Sequence, residues 1–375
     1  MKKPVIFSFF SGSGFLDLGF EDNGFSIDFV NEYHKPFLDA YIYSREKLKK
    51  HKPKFGYSLE SIDKLVSDQE NDTLMTNIEK VKGTGTPVGF IGGPPCPDFS
   101  VGGKNKGKDG ENGKLTEIYI NAITKYRPDF FVFENVKGLW RTKRHREFYE
   151  QMKDSLTQCG YLLTERLTNS LEYGVPQDRD RILLFGILKE KTALSSNQEL
   201  LDEFNWGKEI KFDRETVLNK NLWPAAEAYF EGSEKSMPPE LSKYKELTVQ
   251  HWFSKNQIDN HPNASHHFTP RAGLPRFQAI DEGDDSRKSY KRLHRWRYSP
   301  TAAYGNNEVH LHPYKSRRIS AAEALAIQSL PADFELPSTM SLSNMFKTIG
   351  NGVPYLLSSG LAKTILVFLK KQKFN

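Results

Sequence analysis

Across roughly the first 190 residues, short apolar runs alternate with longer segments of helical period, and this alternation admits few folds other than a parallel sheet covered by helices. The runs predict strands at Val5 to Phe9, Ile27 to Val30, Val88 to Ile91, Phe130 to Phe133 and Ile182 to Leu188. The helices between them are bounded by their stops: Gly24 after the first, Pro128 behind the one through Ile118 to Tyr126, and Gly160 behind the one through Phe148 to Leu156. This half reads as doubly wound α/β. Beyond Lys189 the periodicity fades into a polar stretch carrying Trp206, Trp223, Trp252 and Trp296, where no element is assigned up to about residue 316. Order returns with a helix from Ser320 through Ile327 and a C-terminal helix through Leu356 to Leu369.

A chain of 375 residues exceeds what one hydrophobic core usually holds, so two lobes are expected. The net charge of +6 and a pI near 8.9 predict basic surface, for which phosphate backbones are a common partner, although charge by itself decides nothing. Two cysteines, Cys96 and Cys159, are too few for a disulfide scaffold or a cysteine-rich zinc site and point to a reducing cytoplasm. His261, His266 and His267 have no cysteine near them, and no metal is expected. Lys2 and Lys3 followed by Val5-Ile6-Phe7 imitate a signal peptide, but Gly12, Gly14 and Asp17 interrupt the apolar run, so the segment reads as a first strand with no membrane role.

The predicted strands are flanked by residues suited to chemistry. The first runs into Phe10-Ser11-Gly12-Ser13-Gly14, and the second ends at Asn31-Glu32-Tyr33, with Glu32 eighteen residues after Gly14. Glycines let a ligand approach backbone at a helix start, and an acid at the next strand tip accepts hydrogen bonds from ribose hydroxyls. The third glycine of a dinucleotide site is missing, so adenosine without a pyrophosphate fits; an ordinary tight turn with a solvated glutamate would look the same. A sharper signal follows at Gly92-Gly93-Pro94-Pro95-Cys96-Pro97-Asp98-Phe99-Ser100, where three prolines preset the direction of one thiol at the carboxyl edge of the sheet. Cys159, among apolar neighbours from Leu156 to Leu162, reads as inert. The next strand ends in Glu134-Asn135-Val136, placing a carboxyl at the same edge, where it suits proton delivery. In Gln177-Asp178-Arg179-Asp180-Arg181, extended geometry points Arg179 and Arg181 to one face, either for an anion or carbonyl or as a salt-bridged strand start.

Together these segments resemble the DNA cytosine-5 methyltransferases of bacterial restriction systems. Arg317 to Pro331 and Ile349-Gly350-Asn351-Gly352-Val353-Pro354 extend the resemblance over nearly the whole chain. The resemblance implies a Rossmann-like large lobe, 1–192 completed by 344–375, and an inserted target-recognition lobe, 193–343, with double-stranded DNA in the cleft. It implies S-adenosylmethionine as cofactor, held at Phe10, Gly12, Gly14, Leu16, Glu32, Tyr33, Pro94, Leu115, Asn351 and Val353. Three departures stand out: Phe15 for a frequent glycine, Pro97 for a frequent glutamine, and Asn77-Ile78 where an aspartate usually meets the adenine. Other corollaries are a monomer and a companion restriction endonuclease acting on the same site.

The chemistry so implied has Cys96 adding to carbon 6 of a flipped-out cytosine, Glu134 donating at ring nitrogen 3, and Arg179 and Arg181 holding the base carbonyl and steadying the thiolate. Lys104 and Lys106, in a glycine-rich loop after Cys96, are expected on phosphate, as are Arg287, Lys291, Arg292, Arg295 and Arg297 in a basic-aromatic run of the second lobe. The same chemistry on RNA is the nearest alternative, but its enzymes have a small recognition lobe, and the long stretch from about 193 to 343 favours duplex DNA. A non-catalytic DNA-binding relative would lack Cys96 or Glu134.

Overall fold

The computed structural model describes residues 1–67, 72–95, 111–287, 289–302, 304, 308–372 and 374; at 111, 112, 144 and 271 it describes the backbone alone. Seven strands, β1 (Val5–Phe9), β2 (Ser26–Asn31), β3 (Tyr57–Ser58), β4 (Val88–Gly92), β5 (Phe130–Val136), β6 (Tyr161–Asn169) and β7 (Asp180–Leu188), form one sheet in the order β3-β2-β1-β4-β5-β7-β6. All five expected strands are present. β3, two residues long, and β6 are additions.

The sheet is mixed, which corrects the expectation of a parallel one: β7 runs antiparallel to both β5 and β6. Only ten residues, 170–179, join β6 to β7, too few for the crossover that parallel strands require. That connection closes locally instead. Asn169 and Glu172 form a reciprocal capping box over the 3₁₀ turn Ser170–Tyr173, and Gly174 leaves it at a φ of 88°.

Helices cover both faces, as a Rossmann-like fold requires. Thr73–Lys82, Glu111–Tyr126 and Lys143–Gln158 bury Ile78, Tyr119, Ile123, Tyr149 and Leu156 on one side. Phe15–Glu21, Lys35–Lys47 and Tyr355–Lys371 bury Leu16, Phe20, Leu38, Leu361 and Phe368 on the other. The C-terminal helix docks directly on the first one: a Cβ at Gly19 would lie 2.2 Å from Ser358 Oγ, and that hydroxyl donates to Leu16 O at 2.5 Å. The stretch Leu342–Lys371 is apolar enough to span a membrane by composition, yet Leu357, Leu361, Ile365 and Phe368 are spent on this core.

Among the described residues, 189–341 adds no strand to the sheet and consists of short helices and isolated bridges. Its packing is continuous with the rest. Leu200, Phe204 and Trp206 join the apolar cluster of the sheet, and Phe15 and Leu18 pack with Trp252, Leu325 and Phe334.

The order of strands turns the chain one way from β1 to β2 and β3 and the other way to β4 and β5. Ligands in open α/β sheets bind at such a switch point, outside the carboxyl ends of the strands. The residues following β1, β4 and β5 therefore meet there. Because β7 is antiparallel, its beginning lies at the same edge, with Arg181 paired to Val136 across the ladder.

Candidate active site

The turn after β1 is wound left-handed three times in five residues, with φ of 53° at Phe10, 56° at Gly12 and 79° at Gly14. Phe10 bears a strain of about 1–2 kcal/mol for this, which its ring offsets in part by standing edge-on to Tyr119 at 5.9 Å. The turn presents the Gly12 N–H to Glu32 Oε2 at 2.8 Å, while the His34 N–H takes Oε1 at 2.8 Å. Both carboxylate oxygens are thereby oriented and each retains a lone pair. Burial pushes the Glu32 carboxyl up against the pull of those two amides. Tyr33, beside it, leaves 73% of its surface exposed at the strand tip. Leu16 and Val353 sit in the core behind the turn, and Ser13 Oγ meets Thr348 Oγ1 at 2.7 Å, tying it to the C-terminal segment. Phe15 is accommodated at Gly352, where a Cβ would come within 2.2 Å of its ring. The bulk at 15 thus goes with its absence at 352.

At the end of β4 the backbone passes close to the acid on β5. A Cβ at Gly93 would stand 2.5 Å from Glu134 Oε2, so a side chain there would displace this carboxyl oxygen. The other oxygen, Oε1, is 2.7 Å from Arg181 Nε. Glu134 thus holds one oxygen on a cation and turns the other toward the loop that continues through Pro94 and Pro95 to Cys96. Cys96 itself, with Lys104 and Lys106, lies outside the described residues. Leu115 is half-buried on the helix behind that loop.

The two arginines part company. Arg181 pairs with Glu134 and donates to Asp180 O at 2.8 Å, whereas Arg179, 1% exposed, reaches Ala302 O and Asn351 O at 3.4 Å each. Among the described residues no carboxylate pairs with Arg179. Burial first, and then Arg181, push its pKa well down. Its backbone contacts join the segment before β7 to the inserted segment and to Asn351.

Comparison with known proteins decides what this edge belongs to. The model of the C-5 cytosine-specific DNA methylases matches residues 5–367. The chain belongs to that family. A type II methyltransferase of Neisseria meningitidis serogroup C, M.NmeDI, is 60% identical over 369 residues, 98% of this chain and 85% of the relative. M.FnuDI of Fusobacterium nucleatum is 28% identical over 367 residues, covering 96% and 93%. The crystal structure of a prophage-encoded E. coli protein, assigned as a DNA modification methyltransferase, has the same fold at a TM-score of 0.67 and 19% identity, covering 98% and 99%.

Not every residue expected to serve this methylase reaches the edge. Ile78 is sealed in the core among Phe7, Phe29 and Phe90, and Asn77 precedes it within the helix Thr73–Lys82. The residues at the tip of β3 are Ser58 to Ile62, fastened to β2 by Asn31 Nδ2, which donates to Glu60 O at 2.8 Å. A two-residue strand carries no alternation to announce it, so this tip is not legible in the sequence.

Two of the residues expected to face DNA are buried instead. Arg292 is fully buried, its guanidinium donating to the carbonyls of Ile280 (2.8 Å), Phe277 (2.5 Å) and His312 (2.5 Å) with its carbon 3.8 Å over Tyr229. Arg295, 3% exposed, grips both oxygens of Glu282 at 2.8 Å and the backbone and hydroxyl of Ser233. Both arginines hold the inserted segment together. Arg287 is exposed and Lys291 half-buried, while Arg297 donates to Gly283 O at 3.2 Å. Glu227, Glu282 and His294 gather as a metal site would, but Arg295 occupies Glu282, and the Trp296 N–H bonds His294 Nδ1, leaving the proton on Nε2 toward Glu227. His261 is spent likewise, between Asn263 N and Phe334 O.

Proposed function

We propose that this methylase transfers a methyl group from S-adenosylmethionine to carbon 5 of a flipped-out cytosine in a specific duplex sequence, through a covalent bond to Cys96. The carrying observation is the close approach of the β4 loop to Glu134, whose second oxygen is taken by Arg181.

The donor set at the glycine turn fits an adenosine. A carboxylate preoriented by two amides suits vicinal hydroxyls, and the exposed ring of Tyr33 beside it offers a stacking face. Gly12, Glu32, Tyr33 and the tip of β3 would hold the nucleoside, with Phe10, Gly14, Pro94, Leu115, Asn351 and Val353 around it. When bound, S-adenosylmethionine supplies an electrophilic methyl on sulfur.

Carbon 5 of cytosine becomes nucleophilic only after a thiolate adds to carbon 6. Cys96 forms that bond as Glu134 supplies a proton at ring nitrogen 3, limiting the charge that builds on the ring. Arg181 keeps Glu134 in register. After methyl transfer the carbon 5 proton leaves to a base, the bond to sulfur breaks and the ring double bond returns. Residues 1–192 with 344–375 would form the catalytic lobe and 193–343 the lobe that reads neighbouring bases. M.NmeDI and M.FnuDI are type II methyltransferases, which supports a role in guarding host DNA from a companion endonuclease; a cytoplasmic monomer belongs to the same proposal.

Incubating the purified protein with S-adenosylmethionine and plasmid, followed by bisulfite sequencing, tests the activity and names the site. Cys96→Ala should abolish methylation while retaining cofactor and DNA binding. On duplex carrying 5-fluorocytosine the wild type should remain attached after denaturation. Full methylation by the Cys96 variant, or no adduct from an active enzyme, would overturn the covalent route.

A further inference from the structure

Behind the glycine turn lies a buried charge network for which the chemistry above has no use. Asp17, fully buried, accepts from Ser8 Oγ on β1 at 2.8 Å and from Tyr41 Oη on the helix Lys35–Lys47 at 3.0 Å. Arg45, one turn along that helix and equally buried, has its guanidinium carbon 4.3 Å over the Tyr41 ring and Nε 2.7 Å from Glu21. Its free arm turns to the ligand turn: Nη2 donates to Gly14 O at 2.6 Å. A Cβ at Gly14 would lie 2.5 Å from the Tyr41 ring and 2.7 Å from Arg45 Nη2, so the turn is seated directly on these two side chains. Two carboxylates, Asp17 and Glu21, face this one guanidinium, and burial pushes Asp17 up to about 6 against the attraction of Arg45.

A buried ion pair is a poor source of stability, because desolvation offsets most of the Coulomb gain. What this one supplies is placement. The Gly14 carbonyl is two residues from the Gly12 N–H that orients Glu32, so the height at which Arg45 holds the turn is passed to the carboxylate.

We propose that Arg45 is a positioning residue for the cofactor, clamping Gly14 so that Gly12 and Glu32 keep the geometry that receives a nucleoside. The inference rests on the adenosine reading of the turn given above. A guanidinium serves Gly14 and Glu21 from two arms of one rigid fork, whereas a lysine keeps the charge but offers a single point.

The test compares Arg45→Lys with the wild type by calorimetric titration with S-adenosylmethionine, together with kcat, KM for DNA and the melting temperature. Arg45→Lys should raise the cofactor Kd about ten- to a hundredfold, the loss expected for a charge-assisted hydrogen bond. At saturating cofactor, kcat and the KM for DNA should stay within about twofold. Glu21→Gln keeps Arg45 but loosens its second anchor; it should raise the Kd by a smaller factor, and it decides the matter if Arg45→Lys does not fold. An unchanged Kd in a folded variant, or equal losses in kcat and DNA affinity, would overturn the role of Arg45. A wild type that binds no S-adenosylmethionine would instead sink the reading of the turn itself.

Discussion

Buried arginines at the sheet edge and in the inserted segment put one side chain to opposite uses. Arg292 and Arg295 are saturated: four carbonyls and an aromatic face for the first, a two-pronged carboxylate and Ser233 for the second. Arg179 is equally buried, yet it holds two carbonyls at 3.4 Å and leaves Nε unpartnered. Leaving a buried donor unmet costs about 1–3 kcal/mol. The first two are scaffold; Arg179 keeps one donor unspent.

That contrast is broken most severely at Glu134. Glu134→Gln should slow methyl transfer by about 10²- to 10⁴-fold, the range for a positioned acid, with the cofactor Kd and the melting temperature little altered. Single-turnover rates on a short duplex measure it. A Gln variant of normal rate but lowered melting temperature would move Glu134 into the scaffold class.

Arg295→Ala should behave in the opposite way. Removing the guanidinium strands Glu282, buried and already opposed across a β-bridge by Glu227, and breaking such a pair costs about 3–5 kcal/mol. Urea unfolding should register the loss, while the protein that remains folded keeps its kcat. Undiminished stability with weaker DNA binding would restore Arg295 to the phosphate contacts that the sequence alone suggested.

The two regions also differ in how far they could be read in advance. At the sheet edge the proposed site residues sit in local motifs: Gly12, Glu32, Gly93 and Glu134 follow apolar runs that announce them, and topology brings them to one edge. β6 escaped because its outer half, Glu165-Arg166-Leu167-Thr168, is polar as befits an edge strand, and its direction depends on the short turn after Asn169. In the inserted segment the run from Arg287 to Tyr298 looks uniformly cationic, but Glu282, Tyr229 and Ser233 reach it from elsewhere in the chain. Nothing in the run says which arginines these partners will capture. Asn256 and Asn263, of a residue type suited to reading bases, are likewise buried and bonded to Leu330 O and Leu336 O.

Glu323 sharpens the scaffold side through its pH dependence. Burial acts to raise its carboxyl, but His312 and the fork of Arg317, at 2.7 and 2.8 Å, hold it well below the usual carboxylate range. A depressed carboxylate contributes stability in full above its unfolded pKa, near 4.5, and loses it as the pH falls below that value. The melting temperature of the wild type should therefore drop below about pH 4.5 more steeply than that of Glu323→Gln, which starts about 2 kcal/mol less stable at pH 7. Parallel acid limbs for the two proteins would remove Glu323 from the account.

The smallest effect concerns the cations that the inserted segment leaves in solvent. Arg287 is exposed and Lys291 half-buried, and neither is captured as Arg292 and Arg295 are. A side chain that neutralises one phosphate releases about one condensed counterion, so its removal lowers the slope of log K against log salt by about one without altering sequence preference. Arg287→Ala and Lys291→Ala should each flatten that slope by this amount, weaken binding severalfold at low salt and converge on the wild type at high salt, with kcat and the methylated sequence unchanged. Fluorescence anisotropy over a salt series on cognate and random duplexes gives both numbers. A slope equal to that of the wild type would mean that the exposed cations are solvated surface, and that the phosphate contacts of the inserted segment must be sought outside the run from Arg287 to Tyr298.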